Sequence, residues 1–370
     1  MTDPIAPTEE GLVTQAEEAI EDARQTQTET ETEAQAETET EPEADAAEER
    51  AVDPADSGPR TVGRLVAEAL RTAGVRYAFM VPGESFLGLI DGLTAVGIRV
   101  IATRHEGGAA FMAEAHGNLT GRPAACVGTR AVGSSNLAIG IHTARQDSSP
   151  MFALVGQVER THRGHEAFQE IDQVATIGGL AKWAAEPTQV ADVPGVLTEA
   201  LRHVLGGRPG PVLLSLPEDL LDESVPDDAR IAIDRGGPAR PSDSDIRFVI
   251  ELLASAERPV ILAGGGVLRA RTSTDLLRFA ELLQVPIIAG WRRADVVSND
   301  HPLYLGMAGL GAAPSVRERL LAADAMLVIG SRLNEPTSWE DTVPAASTPW
   351  AWVDIDPHAP HGPRPPELAV

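Results

Sequence analysis

The sequence predicts an α/β protein of two doubly wound parallel-sheet domains behind an acidic N-terminal tail. Three observations carry this. Apolar runs of four to six residues alternate with segments of helical apolar spacing, the pattern of a parallel sheet covered on both faces. The alternation stops in a stretch rich in proline and aspartate between Leu216 and Ser244, then restarts. The length, 370 residues, fits two or three domains at roughly 100–200 residues each.

The tail comes first. Residues 1–60 hold 19 acidic and 3 basic side chains, −16 of the formal charge of −25. The Thr-Glu repeat at 28–33 and its echo at 37–40 have no apolar face to bury, so nothing offsets the entropy of ordering them. Residues 1–59 are expected to be a disordered acidic tail, with a transient helix at 9–23. Such a tail is either a solvating extension or an acidic docking arm. The rest of the chain is mildly acidic. That balance argues against nucleic acid and against an anionic membrane surface as partners, since both need clustered Lys and Arg.

No stretch approaches about 18 uncharged apolar residues, so no transmembrane helix is expected. The N-terminus lacks the basic and apolar regions of a secretory signal. Cys126 is the single cysteine, which excludes an internal disulfide framework and a multi-cysteine metal site. A soluble cytoplasmic protein is the expectation.

From residue 60 the elements follow in order. Val62, Leu65, Val66 and Leu70 have helical spacing, ending at Gly74. Tyr77–Val81 reads as a strand stopped by Pro82-Gly83, 86–95 as a helix and 99–103 as a strand. A helix spans 106–119, with Gly121 near its end. Ala124–Gly128, Met151–Val155 and Val212–Leu216 read as further strands. This first domain is expected over 60–228, with a linker at 229–243. In the second, 244–370, helices are expected at 246–253, 275–283 and 316–322. Strands are expected at 260–263, 285–289, 325–329 and 350–354.

Glu106 is the most informative position. A strand runs directly into its helix, and in open α/β sheets ligands sit at the carboxyl ends of strands. A carboxylate is well tolerated at a helix start, and Gly107 and Gly108 let a ligand or a second backbone approach. From the residues alone, Glu106 is either a simple helix-start carboxylate or a ligand-facing acid. His162 and His165 are three apart, but no cysteine or clear third ligand accompanies them, so they read as polar loop histidines.

Several motifs in order resemble the acetolactate synthase group of thiamine-diphosphate-dependent enzymes. They are VPG (81–83), RHEGGAAFMAEA (104–115), the run 147–158 (Asp147-Ser148-Ser149-Pro150, then MFALVGQV), EAFQEID (166–172) and GRPGPVLLSLPED (207–219). The set continues with RPVILAGGGV (258–267), HPLYLGMAGLG (301–311) and ADAMLVIGSRL (323–333). The resemblance covers essentially all of 60–370.

It implies a pyrimidine-binding domain at 60–228 and a central domain at 244–370. Glu106 matches the glutamate that shares a proton with the pyrimidine ring of thiamine diphosphate. That carboxyl favours the tautomer able to take a proton from the thiazolium ring, and the cofactor then serves as electron sink for a 2-oxo acid. Pro82 and Gly83 match the turn against the cofactor ring. Gly133, Asn136 and Gln157 match cofactor-facing loops. Phe168 and Gln169 match a pair lining the substrate channel, and Lys182 is a candidate channel residue. Turn chemistry for the glycines, ordinary packing for Phe168 and a solvated Lys182 stay open as alternatives.

Three departures stand out. The family's Gly-Pro-Gly-Ala-Thr-Asn loop reads Ala131-Val132-Gly133-Ser134-Ser135-Asn136 here, so a looser loop is expected. In some relatives the central domain holds FAD; Ala308 replaces the usual histidine and Leu-Asn-Glu-Pro follows Arg332, so FAD is not expected. Gly264-Gly265-Gly266 lacks the third glycine of a dinucleotide fingerprint. The family's third domain holds diphosphate and Mg²⁺ through a Gly-Asp-Gly motif and a later asparagine, hard-cation chemistry. No such pattern occurs in 1–370, so a truncated chain is expected, with Mg²⁺ held through the missing domain.

The expected activity is decarboxylation or carboligation of a small 2-oxo acid. A homodimer or homotetramer is implied, with a partner chain carrying the diphosphate domain as one possibility. The alternative is a catalytically silent remnant or a regulatory, dimerising module.

Overall fold

The computed structural model describes residues 60–226, 228–232, 240–356 and 364–370. The expected tail at 1–59 lies outside the described residues, as do residues 233–239 of the expected linker. The described residues form two compact units, one within 60–232 and one within 240–370, each built on its own six-stranded sheet. Every strand pairing in both sheets is parallel.

The first unit runs α1 (Val62–Thr72), β1 (Tyr77–Met80), α2 (Leu87–Ala95), β2 (Arg99–Ala102), α3 (Glu106–Thr120) and β3 (Ala124–Thr129). It continues with α4 (Arg130–Asp147), β4 (Met151–Gln157), β5 (Trp183–Ala185), α5 (Val193–Leu205) and β6 (Pro211–Pro217). The strand order is β2-β1-β3-β4-β6-β5. β2 lies on one side of β1 and β3 on the other, so the chain reverses direction there. The crevice at the carboxyl ends of β1 and β3 is the switch point where open sheets bind ligands.

Side chains alternate across the sheet, as strand geometry requires. Ala125, Val127, Phe152, Leu154, Val212 and Leu214 face one core, closed by α1 and α5. Ala124, Cys126, Met151, Ala153, Val155 and Leu213 face the other, closed by α3 and α4. Both faces are therefore apolar and covered, which explains the uninterrupted apolar runs.

The sequence leaves α4 unread, and the structure corrects the looser loop expected at 131–136. That run is the first two turns of α4, which follows β3 without an intervening residue. Without the proline it is helical from the start: Ala131 N–H donates to the Gln169 carbonyl at 3.0 Å, and Gly133 packs on Gly128. Gly133, Ser134, Leu137, Gly140 and Ile141 are buried, a mostly small-residue face with little apolar periodicity.

The second unit contains α6 (Asp243–Ala254), β7 (Pro259–Ala263), α7 (Ser273–Leu283), β8 (Ile287–Ala289), β9 (Tyr304–Met307), α8 (Pro314–Leu321), β10 (Ala325–Ile329), β11 (Trp350–Val353) and β12 (Leu368–Ala369). Its strand order is β12-β11-β10-β7-β8-β9. Val260, Leu262, Met326, Val328, Trp350 and Trp352 pack with α8 on one face. Ile261, Ala263, Ile287, Leu327 and Ala351 pack with α6 and α7 on the other. Among the described residues no helix is long and apolar enough to cross a membrane.

Candidate active site

β2 ends at Ala102, and α3 begins at Glu106 after three intervening residues. His105 caps the helix: its Nδ1 accepts the Gly107 N–H at 2.9 Å. Glu106 thus sits in the first turn, where unpaired N–H groups and the helix dipole favour a carboxylate. It is only 7% exposed.

α4 crosses α3 closely enough to reach this carboxylate. A Cβ at Gly140 would lie 2.3 Å from Ala110 Cβ, so no side chain fits at the crossing. One turn away, Asn136 Nδ2 donates to Glu106 Oε2 at 2.9 Å. A Cβ at Gly133 would stand 3.5 Å from Glu106 Oε1, and that oxygen has no hydrogen-bond partner among the described residues. The result is a nearly buried carboxylate with one oxygen oriented by an amide and the other available to accept or hold a proton.

The surrounding rim comes from the ends of neighbouring strands. After β1, Pro82 and Gly83 turn the chain, and a Cβ at Gly83 would meet Thr129 Cβ at 3.0 Å. Ser85 and Thr129 share a 2.7 Å hydroxyl hydrogen bond. Arg130 bonds Glu84 and Glu218, each at 2.9 Å.

Beyond β4 a strap, residues 158–172, arches over this edge. Gln157 closes its base: Nε2 donates to the Ile171 carbonyl and Oε1 accepts the Val158 N–H, both at 2.9 Å. Arg160 ties the strap to Asp219, Glu223 and the Thr188 carbonyl. Arg163 ties it to Glu186 at 3.0 Å and braces it internally through the Ile171 carbonyl at 3.2 Å. Glu170 accepts from the Gly164 and Ala167 N–H groups, and those bonds with the Arg163 charge hold its carboxyl below the usual range.

Of the residues singled out in the sequence, Glu106, Gly133 and Asn136 come into mutual contact. Pro82 and Gly83 lie at the end of the adjacent strand. Gln157 is fully buried and spends its amide on the strap. Phe168 is 71% exposed on the strap, 5.9 Å from the Arg130 guanidinium, and the Gln169 carbonyl caps α4.

Lys182 is not brought to this edge. It precedes β5, paired with Pro211 at the amino end of β6, and its Nζ donates to the carbonyls of His203, Gly206 and Arg208 at 2.6–2.9 Å. Arg130 and Arg163 were not singled out. The signal for Arg130 was present: a charged residue directly after an apolar strand, at the edge where ligands bind.

In the second unit Gly264 and Gly266 pack backbone on backbone. A Cβ on either would lie 2.2–2.6 Å from Gly330 atoms. Among the described residues no three His, Cys, Asp or Glu side chains gather in a way that could hold a metal ion. His162 pairs with Glu159 at 3.5 Å.

Two family descriptions match this chain. Residues 60–176 match "Thiamine pyrophosphate enzyme, N-terminal TPP binding domain", and residues 246–370 match "Thiamine pyrophosphate enzyme, central domain". A protein described as probable acetolactate synthase large subunit from Methanocaldococcus jannaschii is 34% identical over 298 residues, 79% of this chain and 50% of that protein. One so described from Methanococcus aeolicus is 33% identical over 296 residues, covering 78% and 49%. The chloroplastic acetolactate synthase of Arabidopsis thaliana is 30% identical over 308 residues, covering 82% and 46%. The chain spans about half the length of these relatives. It belongs to the thiamine pyrophosphate enzymes of the acetolactate synthase-like group, and carries their N-terminal TPP-binding and central domains.

Proposed function

We propose that residues 60–232 form the pyrimidine-binding half of a thiamine diphosphate site that decarboxylates a small 2-oxo acid or joins two such units. The observation that carries this reading is the Glu106 carboxylate. It is nearly buried, oriented by Asn136 through one oxygen and without a protein partner on the other. A nitrogen heterocycle that shares a proton fits that donor set, and the absence of a side chain at Gly133 keeps Oε1 approachable.

When bound, thiamine diphosphate supplies the electron sink on which a 2-oxo acid loses carbon dioxide. Glu106 would face a ring nitrogen of the bound group through Oε1, where it could take up or give back a proton. Asn136 fixes the carboxylate plane, so the proton moves along one direction. Pro82 and Gly83 form the wall at the end of β1, and burial at the foot of α3 excludes water. Phe168 and Gln169 on the strap line the approach of the substrate.

The residues that hold diphosphate and Mg²⁺ are proposed to come from sequence other than 60–370, on the same polypeptide or on a partner chain. A homodimer or homotetramer completes the assembly. Phe111, Met112 and Leu119 on α3 and Ile139 on α4 are exposed apolar side chains beside the Glu106 helix, which supports a partner covering that face.

The test is a titration with thiamine diphosphate and Mg²⁺ of this chain together with a polypeptide carrying the diphosphate domain, comparing wild type with Glu106→Gln. The reading expects saturable binding and pyruvate consumption in the wild type, with turnover lost in the variant. Undiminished turnover in Glu106→Gln would sink it.

A further inference from the structure

Arg130 has no part in the chemistry above, yet it joins three segments of the rim. It stands between β3 and the body of α4 with a left-handed φ of 43°, a conformation that residues other than glycine seldom take. Its side chain is only 12% exposed. Nη1 donates to Glu84 in the turn after β1, and Nη2 donates to Glu218 just after β6. The guanidinium carbon lies 5.9 Å from the centre of the Phe168 ring. The next residue along, Ala131, donates its N–H to the carbonyl of Gln169. Two consecutive residues at the start of α4 therefore hold two consecutive residues of the strap.

Charge alone does not explain an arginine here. Its Nε is buried without a hydrogen-bond partner, which is a cost. A lysine would carry the same charge without that N–H. What lysine cannot do is bond two carboxylates through separate nitrogens while turning a flat face to an aromatic ring. Glu84 and Glu218 arrive from different strand ends, so together they fix the guanidinium plane. The plane then fixes where the Phe168 ring can rest.

We propose that Arg130 is a positioning residue that sets Phe168, and through it the strap, over the mouth of the Glu106 site. The functional consequence rests on the reading of Phe168 as a channel residue; the positioning itself does not. Arg130 touches neither the reacting atoms nor Glu106, and it acts through the ring.

Hydrogen exchange on the full chain, without cofactor, tests the positioning. In Arg130→Met, peptides covering 164–171 are expected to exchange about three- to fivefold faster, the scale of a cation–π contact at an exposed site. β4 and α5 keep their wild-type rates. Arg130→Lys is expected to recover less than half of the protection. Phe168→Leu, a change at an exposed side chain that leaves the core intact, is expected to loosen the same peptides equally. The double variant Arg130→Met/Phe168→Leu then adds nothing further. Unchanged strap exchange, additive effects in the double variant, a rise spread equally over β4 and α5, or full recovery by lysine would each overturn the proposal. None of these results bears on thiamine diphosphate binding, which Glu106→Gln tests separately.

Discussion

Asn136 and Glu106 are thirty residues apart in sequence, and the Asn136 amide nitrogen lies 2.9 Å from the Glu106 carboxylate. The contact joins the first turn of α3 to the second turn of α4. It exists because the two helices cross with nothing larger than hydrogen at Gly140.

Replacing Asn136 by alanine removes the only protein hydrogen bond to that carboxylate among the described residues. A hydrogen bond to a charged group is worth about 1.5–3 kcal/mol. The expected result is a loss of about tenfold or more in thiamine diphosphate affinity for the assembled enzyme, read by titration calorimetry. Thermal stability should change little, because no apolar core is opened.

Gly140→Ala tests the helix crossing. In an open helix this change gains roughly 0.5–1 kcal/mol. Here the new methyl meets Ala110 Cβ at 2.3 Å, and overpacking costs about 1–3 kcal/mol. The variant is expected to unfold at a lower temperature and to bind cofactor more weakly, since α4 must move away from Glu106. Gly108→Ala is the control: nothing lies within 4 Å of its Cβ position, and its stability should hold or rise.

Glu106 and α4 also show where the sequence was legible and where it was not. Glu106 could be placed at a strand end and a helix start from local pattern alone, because its neighbours carry strong apolar runs. The sheet strands were readable for the same reason: β3, β4 and β6 are apolar on both faces. α4 was not readable. Its buried face is mostly Gly, Ser and Ala, small residues that allow close approach, so its apolar periodicity is weak, and the glycines and serines lower its helix propensity. Gln157 and Lys182 mark another limit. Which way a side chain turns at a strand end depends on partners far along the chain, Ile171 for one and the carbonyls of 203–208 for the other. β5, β9 and β12 span two to four residues each and carry or adjoin Lys182, Gly306 and Glu367, which break the apolar run that marks strands as short as β8.

Lys182→Met separates a structural ammonium from a channel residue. Three carbonyls would lose their shared donor, at a cost of about 1–3 kcal/mol. The melting temperature is expected to fall, while KM for the 2-oxo acid stays at its wild-type value. A raised KM at unchanged stability would place Lys182 in the channel instead.

The Asp219 carboxyl has an acid-side signature. Burial pushes it up, but hydrogen bonds from the backbone and guanidinium of Arg160, with the guanidinium charge, outweigh burial and hold it below the ordinary carboxylate range. A depressed folded-state pKa gives stability that is complete above the unfolded value of about 3.9 and is lost as pH falls through the folded value. Between pH 5 and pH 2, Asp219→Asn should therefore flatten the decline in stability. At neutral pH the variant should be the less stable of the two. Acid titration of the unfolding midpoint reads both.

Cys126 should be chemically silent in the folded protein. Complete burial pushes its thiol up to about 12, so almost no thiolate exists near neutrality. A thiol reagent at pH 8 is expected to label it only on unfolding, which makes the lone cysteine a reporter of opening in the first unit.

Gln157 spends both ends of its amide on stapling the strap at its base, Val158 on one side and Ile171 on the other. The base of the strap thereby closes on itself at the end of β4. Between those staples the strap is tied to the body through Arg160, Arg163 and the Gln169 carbonyl; the residues among these ties can be lengthened or rewritten with the strands below left intact, because loop closure costs grow slowly with length. A fold with such a stapled arch can exchange one substrate selection for another while Glu106 and its helix stay as they are.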